Sequence, residues 1–179
     1  MCIRDSINYV TSDVATRSCP KGAVANLSLG GTKSTAVNTA VANLVRAGVF
    51  LAVAAGNENQ NAANTSPASE PTVFTVGAST STDAKASYSN YGSIVDLFAP
   101  GDKIKSAWIG STSATNTISG TSMASPHIAG LGAYLLGLNG KQTPAALSSS
   151  IISLSTKNVI TGVPSGTTSN LAFNGNPSG

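Results

Sequence analysis

Two continuous apolar runs, Ala23 to Leu29 and Val49 to Ala54, flank a segment of helical periodicity, and this arrangement leaves few architectures open. A strand buried on both faces reads as an unbroken apolar run, and parallel sheets bury both faces. Between the runs, Ser34 or Thr35 can cap a helix. Its Val37, Val41, Leu44 and Val45 recur at three- and four-residue intervals until Gly48 stops it. Strand, helix and strand make a βαβ unit with a right-handed crossover. With 41% hydrophobic but only 5% aromatic residues, the core must be built mainly from Ala, Val, Leu and Ile. The expectation is one α/β domain with a mostly parallel sheet.

The remaining segments extend this pattern. Residues 1–6, MCIRDS, carry no cap or strand signal and read as a truncated or non-native start, and Ile7 to Val14 reads as the tail of a helix. Cys19-Pro20-Lys21-Gly22 is a turn. Glu58 to Pro71 is a polar surface loop, Thr72 to Val76 a third strand and Ile94 to Phe98 a fourth, with the turn-rich stretch Asp83 to Gly92 between them. Lys103 to Ile118 suggests a hairpin. A long helix opens at Gly120 and runs to about Leu138, with Ala129, Gly130, Gly132 and Ala133 along it. Such small residues predict close neighbours on several sides, because each glycine costs about 0.5–1 kcal/mol against alanine. Thr143 caps a last helix from Pro144 to about Leu154, and residues 175–179 read as a frayed tail.

Several classes are disfavoured. The charge of +3 comes from scattered basic residues, with no stripe for nucleic acid. The longest apolar stretch, Val49 to Ala55, is far short of the roughly 20 residues of a membrane-spanning helix. The N-terminal residues lack the basic and apolar regions of a signal peptide. Cys2 and Cys19 alone define neither a disulfide framework nor a metal site.

The chemistry-bearing element is Gly120-Thr121-Ser122-Met123-Ala124-Ser125-Pro126-His127. A serine hydroxyl becomes a useful nucleophile only when a base takes its proton and fixed donors stabilise the oxyanion. A helix start offers free N–H groups and a favourable dipole to that oxyanion. An unrelated α/β hydrolase would instead present Ser in a G-x-S-x-G elbow.

This string resembles the nucleophile signature of the subtilisin superfamily of serine peptidases (peptidase S8). The likeness extends through Ser28-Leu29-Gly30-Gly31, Ala54-Ala55-Gly56-Asn57, Ser66-Pro67-Ala68, Val76-Gly77-Ala78 and Phe98-Ala99-Pro100-Gly101 in family order. Cys19-Pro20-Lys21-Gly22 and the stretch from Ser66 to Pro71 are similar to the proteinase K-like branch. The resemblance implies a subtilisin-like three-layer α/β sandwich. It is incomplete here, with residues 7–174 as the C-terminal part of one peptidase domain.

The resemblance also implies roles. Ser122 is the nucleophile and Asn57 the oxyanion-hole side chain; Ser28, Leu29, Gly30, Ala54, Ala55, Gly56, Gly120 and Thr121 bind substrate, with a pocket for a large apolar P1 side chain. Pro71, Val73 and Asp96 match a structural calcium site, and no organic cofactor is implied. The catalytic Asp and His would lie upstream of residue 1, because His127 falls about 140° around the helix from Ser122 and matches a buried structural histidine. Cys19 matches a bridged cysteine with an upstream partner, whereas Phe74 replaces a cysteine of another bridge by an apolar contact. Expected partners are protein or peptide substrates and an N-terminal propeptide, in an extracellular enzyme. The alternative is a catalytically inactive module of the same fold that binds or supports other molecules.

Overall fold

A computed structural model describes residues 3–176. Along the chain stand α1 (Ile3–Thr16), β1 (Ala23–Leu27), β2 (Gly31–Thr32), α2 (Thr35–Arg46), β3 (Val49–Ala54), β4 (Thr65–Ser66), β5 (Phe74–Ser79), β6 (Leu97–Pro100), β7 (Ile104–Ala107), β8 (Thr115–Ile118), α3 (Thr121–Asn139) and α4 (Pro144–Leu154). Four of these strands make a parallel sheet in the order β1-β3-β5-β6. β2 pairs antiparallel with β4, and β7 with β8 as the expected hairpin.

Alternation along β3 shows why the chain makes three layers. Val49, Leu51 and Val53 face a core shared with Ile7, Val41 and Leu44 of α1 and α2. Phe50 and Ala52 face a second core with Phe74, Ile128, Leu135, Leu147 and Ile151, which brings in α3 and α4. Every residue of β3 is buried, as its unbroken apolar run requires. The result is an α/β/α fold with a mostly parallel central sheet. Phe74 lies against Phe50, ring centroids 5.6 Å apart.

Local bonds move several boundaries from their expected places. α1 begins at Ile3, so residues 3–6 are helical rather than irregular. Thr72 and Val73 belong to a turn, not a strand: Thr72 donates through N and Oγ1 to Glu70 Oε1, and Val73 N to Glu70 O. β6 starts at Leu97 because Val95 N donates to Gly92 O. The turn at Cys19 closes through Gly22 N to Cys19 O, and Cys19 is a half-buried free thiol. Cys2 and residues 177–179 of the expected tail lie outside the described residues.

Two elements are less covered than their sequences suggest. β1 is half-buried because it stands at the sheet edge, beside a groove of about 300 Å³ lined by Ile3, Ile7, Val10, Ala25 and Leu27. α3 buries one stripe only, Thr121, Ala124, Ser125, Ile128, Gly132, Leu135 and Leu136. Its opposite face leaves Tyr134 55% and Leu138 66% exposed. On the buried stripe, a Cβ at Gly132 would meet the Phe50 ring at 3.0 Å, so the missing side chain sets how near the helix lies to the sheet.

Asp96 joins the β5 side of the sheet through a reciprocal pair: Thr75 N donates to Asp96 Oδ2 at 2.7 Å, and Asp96 N to Thr75 O at 2.9 Å. Burial pushes its carboxyl up from 3.8 to about 6, against the opposing effect of the Thr75 N–H. A raised folded-state value means that the contribution of Asp96 to stability is full below about 3.8 and is lost as pH rises through about 6. In metal-free buffer, Asp96→Asn should therefore raise the midpoint of thermal unfolding at pH 8 by ~5 °C and leave it nearly unchanged at pH 4. Thermal scans at the two pH values check this; an equal shift at both would contradict it.

Candidate active site

The C-terminal ends of β1 and β3 meet the N-terminus of α3, and the polar groups gathered there are tied to one another. Thr121, fully buried, is the central tie. Its hydroxyl accepts from Gly56 N at 3.1 Å and donates to Asn57 Oδ1 at 2.9 Å, while its backbone N–H donates to the same oxygen at 2.8 Å. Two donors on Oδ1 settle the orientation of the Asn57 amide, so its NH₂ points the other way, toward Gly120. A Cβ placed on Gly120 would come 3.8 Å from Asn57 Nδ2 and 3.7 Å from Ser122 N. An N–H from each residue is thus available beside one small region.

Ser122 is half-buried in the first turn of α3. Its Oγ donates to Ser28 O at 3.4 Å, and Ser28 Oγ donates back to Ser122 O at 2.7 Å. Asn26 extends this contact by donating to Ser28 Oγ and accepting from the buried Ser125 Oγ. The end of β1 and the start of α3, almost a hundred residues apart in sequence, are therefore held by side chains as well as by packing.

A cavity of about 340 Å³ opens beside Ser122, walled by Leu29, Gly30, Ala54, Gly56, Asn57 and Thr121. The structure thus brings together most of the residues singled out in the sequence. Ser28 and Gly120 stand behind the wall next to Ser122. Ala55 lies outside it: fully buried, it faces the core, because alternation past β3 turns Ala54 and Ala55 to opposite sides. Thr32, Glu58, Gln60, Asn64 and Thr65 also line the cavity, and sequence reasoning passed over them. Glu58 and Gln60 could have been suspected from their place in the same loop as Asn57. It brings a carboxylate to a pocket expected to be uncharged.

His127 departs from expectation. It is exposed rather than buried, because it lies with Gly130 and Tyr134 on the α3 face turned away from the sheet. Its Nδ1 sits 2.8 Å from Met123 O. With Ser122, Met123, Pro126 and Ile104 it borders a second, more open cavity.

Pro71 is exposed and Val73 buried, and both shortly precede Thr75, the partner of Asp96, in sequence. Among the described residues, no group of three or more His, Cys, Asp or Glu side chains forms a metal-binding cluster. No helix among them is long and apolar enough to cross a membrane.

Comparison with known proteins bears on this arrangement. Residues 5–170 match the family model of the subtilase family, peptidase S8. The chain is 68% identical over 173 residues to the subtilisin-like serine protease AsES of Sarocladium strictum, and 60% identical over 173 residues to the cuticle-degrading protease of Metarhizium anisopliae. Each alignment covers 97% of this chain and 44% of the relative, so the chain spans less than half the length of either. Among solved structures, a cold-adapted subtilisin-like serine proteinase superposes with a TM-score of 0.85 at 47% identity, over 92% of this chain and 59% of that one. The family match, the shared fold and the identities agree, and the chain belongs to the subtilase family.

Proposed function

We propose that the full-length protein is a secreted serine endopeptidase of the proteinase K-like branch, and that this chain is the C-terminal part of its peptidase domain. The observation that carries this reading is the Asn57 amide, aimed by Thr121 into the space in front of Ser122. A substrate carbonyl in the cavity mouth would be attacked by Ser122 Oγ, forming the new C–O bond as the hydroxyl proton passes to a base. The developing oxyanion would accept from Asn57 Nδ2 and from the Ser122 N–H. Collapse expels the amine with that proton and leaves an acyl-enzyme, which water hydrolyses to regenerate Ser122.

Within this reading, the base is a histidine in the preceding part of the protein, oriented by an aspartate there. His127 is held at Met123 O, Glu58 is engaged by Asn57 N and Asn90 Nδ2, and the acceptor of the Ser122 hydroxyl is the Ser28 carbonyl, which is no base. An extended substrate would lie along Ser28 to Gly30 by strand addition. The P1 side chain would enter between Leu29 and Ala54, which would suit a large apolar group, with Glu58 also lining the cavity.

The groove beside β1 and the bare face of α3 would be covered by the same preceding part, which would supply the remaining strands and the partner of Cys19. Calcium is the metal that fits Pro71, Val73 and Asp96. Two carbonyls and a carboxylate are hard oxygen donors, and among the described residues no cation pairs with Asp96 to offset its burial.

Three outcomes follow. In the full-length protein, Ser122→Ala should remove more than ~99% of turnover on a peptide with a large apolar P1 residue, with thermal unfolding unchanged. Equal hydrolysis by parent and variant would sink the assignment of Ser122, and no hydrolysis by either would favour the inactive binding module instead. Chelation of calcium at pH 8 and constant ionic strength should lower the unfolding midpoint of the parent, and not that of Asp96→Asn; an unaltered parent midpoint would exclude the site. The 179-residue chain on its own should show no Ser122-dependent cleavage and a broad, weakly cooperative urea transition, since its apolar groove and helix face are left in water. A sharp transition, or cleavage lost on Ser122→Ala, would show that the chain is self-sufficient.

A further inference from the structure

Asn57 is held from the front by Thr121, but the loop that carries it is held from behind by a residue the mechanism does not use. Asn90 is fully buried in the turn after β5. Its Oδ1 accepts from Glu58 N at 3.1 Å and from Gln60 N at 3.0 Å. Its Nδ2 donates to Ala55 O at 2.9 Å and to Glu58 Oε2 at 2.8 Å. Its backbone N–H donates to Gly56 O at 3.0 Å. Both donors and both acceptor sites of one amide are therefore spent on the segment from Ala55 to Gln60, with Asn57 at its centre.

The bond to Glu58 passes directly to the oxyanion donor. Glu58 Oε2, held by Asn90, accepts from Asn57 N at 2.9 Å. Gly56 records how near the clamp comes. With φ of +105°, a Cβ there would lie 2.2 Å from Asn90 Nδ2 and 2.7 Å from Glu58 Oε2, so the loop closes around Asn90 only because residue 56 has no side chain. The clamp is itself anchored: Ser89 Oγ accepts from Ala78 N in β5 and donates to Asn90 O. Lys85 Nζ bridges Asn59 Oδ1 to Ser89 O.

We propose that Asn90 is a positioning residue for the oxyanion donor: it fixes the Ala55–Gln60 backbone, and through Glu58 the Asn57 N–H, so that the Asn57 amide meets the transition state at the required distance. It rests on the serine-peptidase reading above. Asparagine suits this place because the same planar group must donate toward Ala55 O and Glu58 while accepting from two backbone N–H groups. Aspartate would set an acceptor against two acceptors.

The test uses the full-length protein, with active sites titrated by a serine-directed phosphonate. Asn90→Asp and the smaller, uncharged Asn90→Ser should each lower kcat by about 10- to 100-fold, with KM within about twofold. In an Asn57→Ala background, where the positioned donor is already gone, the same substitutions should cost less than about threefold. Losses that multiply fully in that background would overturn the proposal, as would parental kcat in either folded variant. Loss of fold in both variants would also overturn it, because Asn90 would then support the whole domain rather than the loop. A parent without Ser122-dependent turnover would sink the peptidase reading itself, an outcome distinct from all of these.

Discussion

The close approach of α3 to the parallel sheet is the constraint on which the rest depends. Ala124 and Gly132 present almost no bulk to the sheet, and Phe50 fills the space that a side chain at Gly132 would need. With the helix this near, its first turn falls where β1 and β3 end. Thr121 can then reach Gly56 and Asn57 without any intervening side chain. A bulkier stripe would leave the layers in place but lift Ser122 away from Asn57.

The frame was legible in the sequence because periodicity reports burial directly. The six residues of β3 were bounded correctly by their apolar character, and the caps at Ser34 and Thr143 were visible as side chains that can accept from Val37 N and Ala146 N. Strand starts were misplaced wherever a side chain or turn captured the backbone first, as Glu70 captures Thr72. Such a bond leaves no periodic trace. The burial of β1 and α3 was overstated for a related reason. An apolar run states what a segment avoids, and does not state which neighbour covers it.

The site divides along the same line. Ser122, Asn57 and the glycines around them stand in a recognisable string, and the structure brings them together. Glu58 and Asn90 belong to no such string. Asn90 sits in a stretch readable only as turn-rich, 30 residues beyond the end of the loop it holds, and nothing about an isolated asparagine distinguishes a clamp from a solvated turn. His127 shows the opposite error, since its motif position suggested burial that the described neighbours of α3 do not provide.

The tie between Thr121 and Asn57 spans 64 residues, and that between Ser122 and Ser28 spans 94. Contacts of such separation carry a large loop-closure cost, which the intervening sheet reduces once it has formed. No hairpin, helix or βαβ unit of the fold contains both Ser122 and Asn57. On the proposed peptidase reading, Ser122 would gain its oxyanion donor only once the layers have docked, and a nascent or partly unfolded chain would carry an ordinary serine. On the same reading the protein's own backbone is a potential substrate, and such an order of events would separate the period of greatest vulnerability from the onset of chemistry.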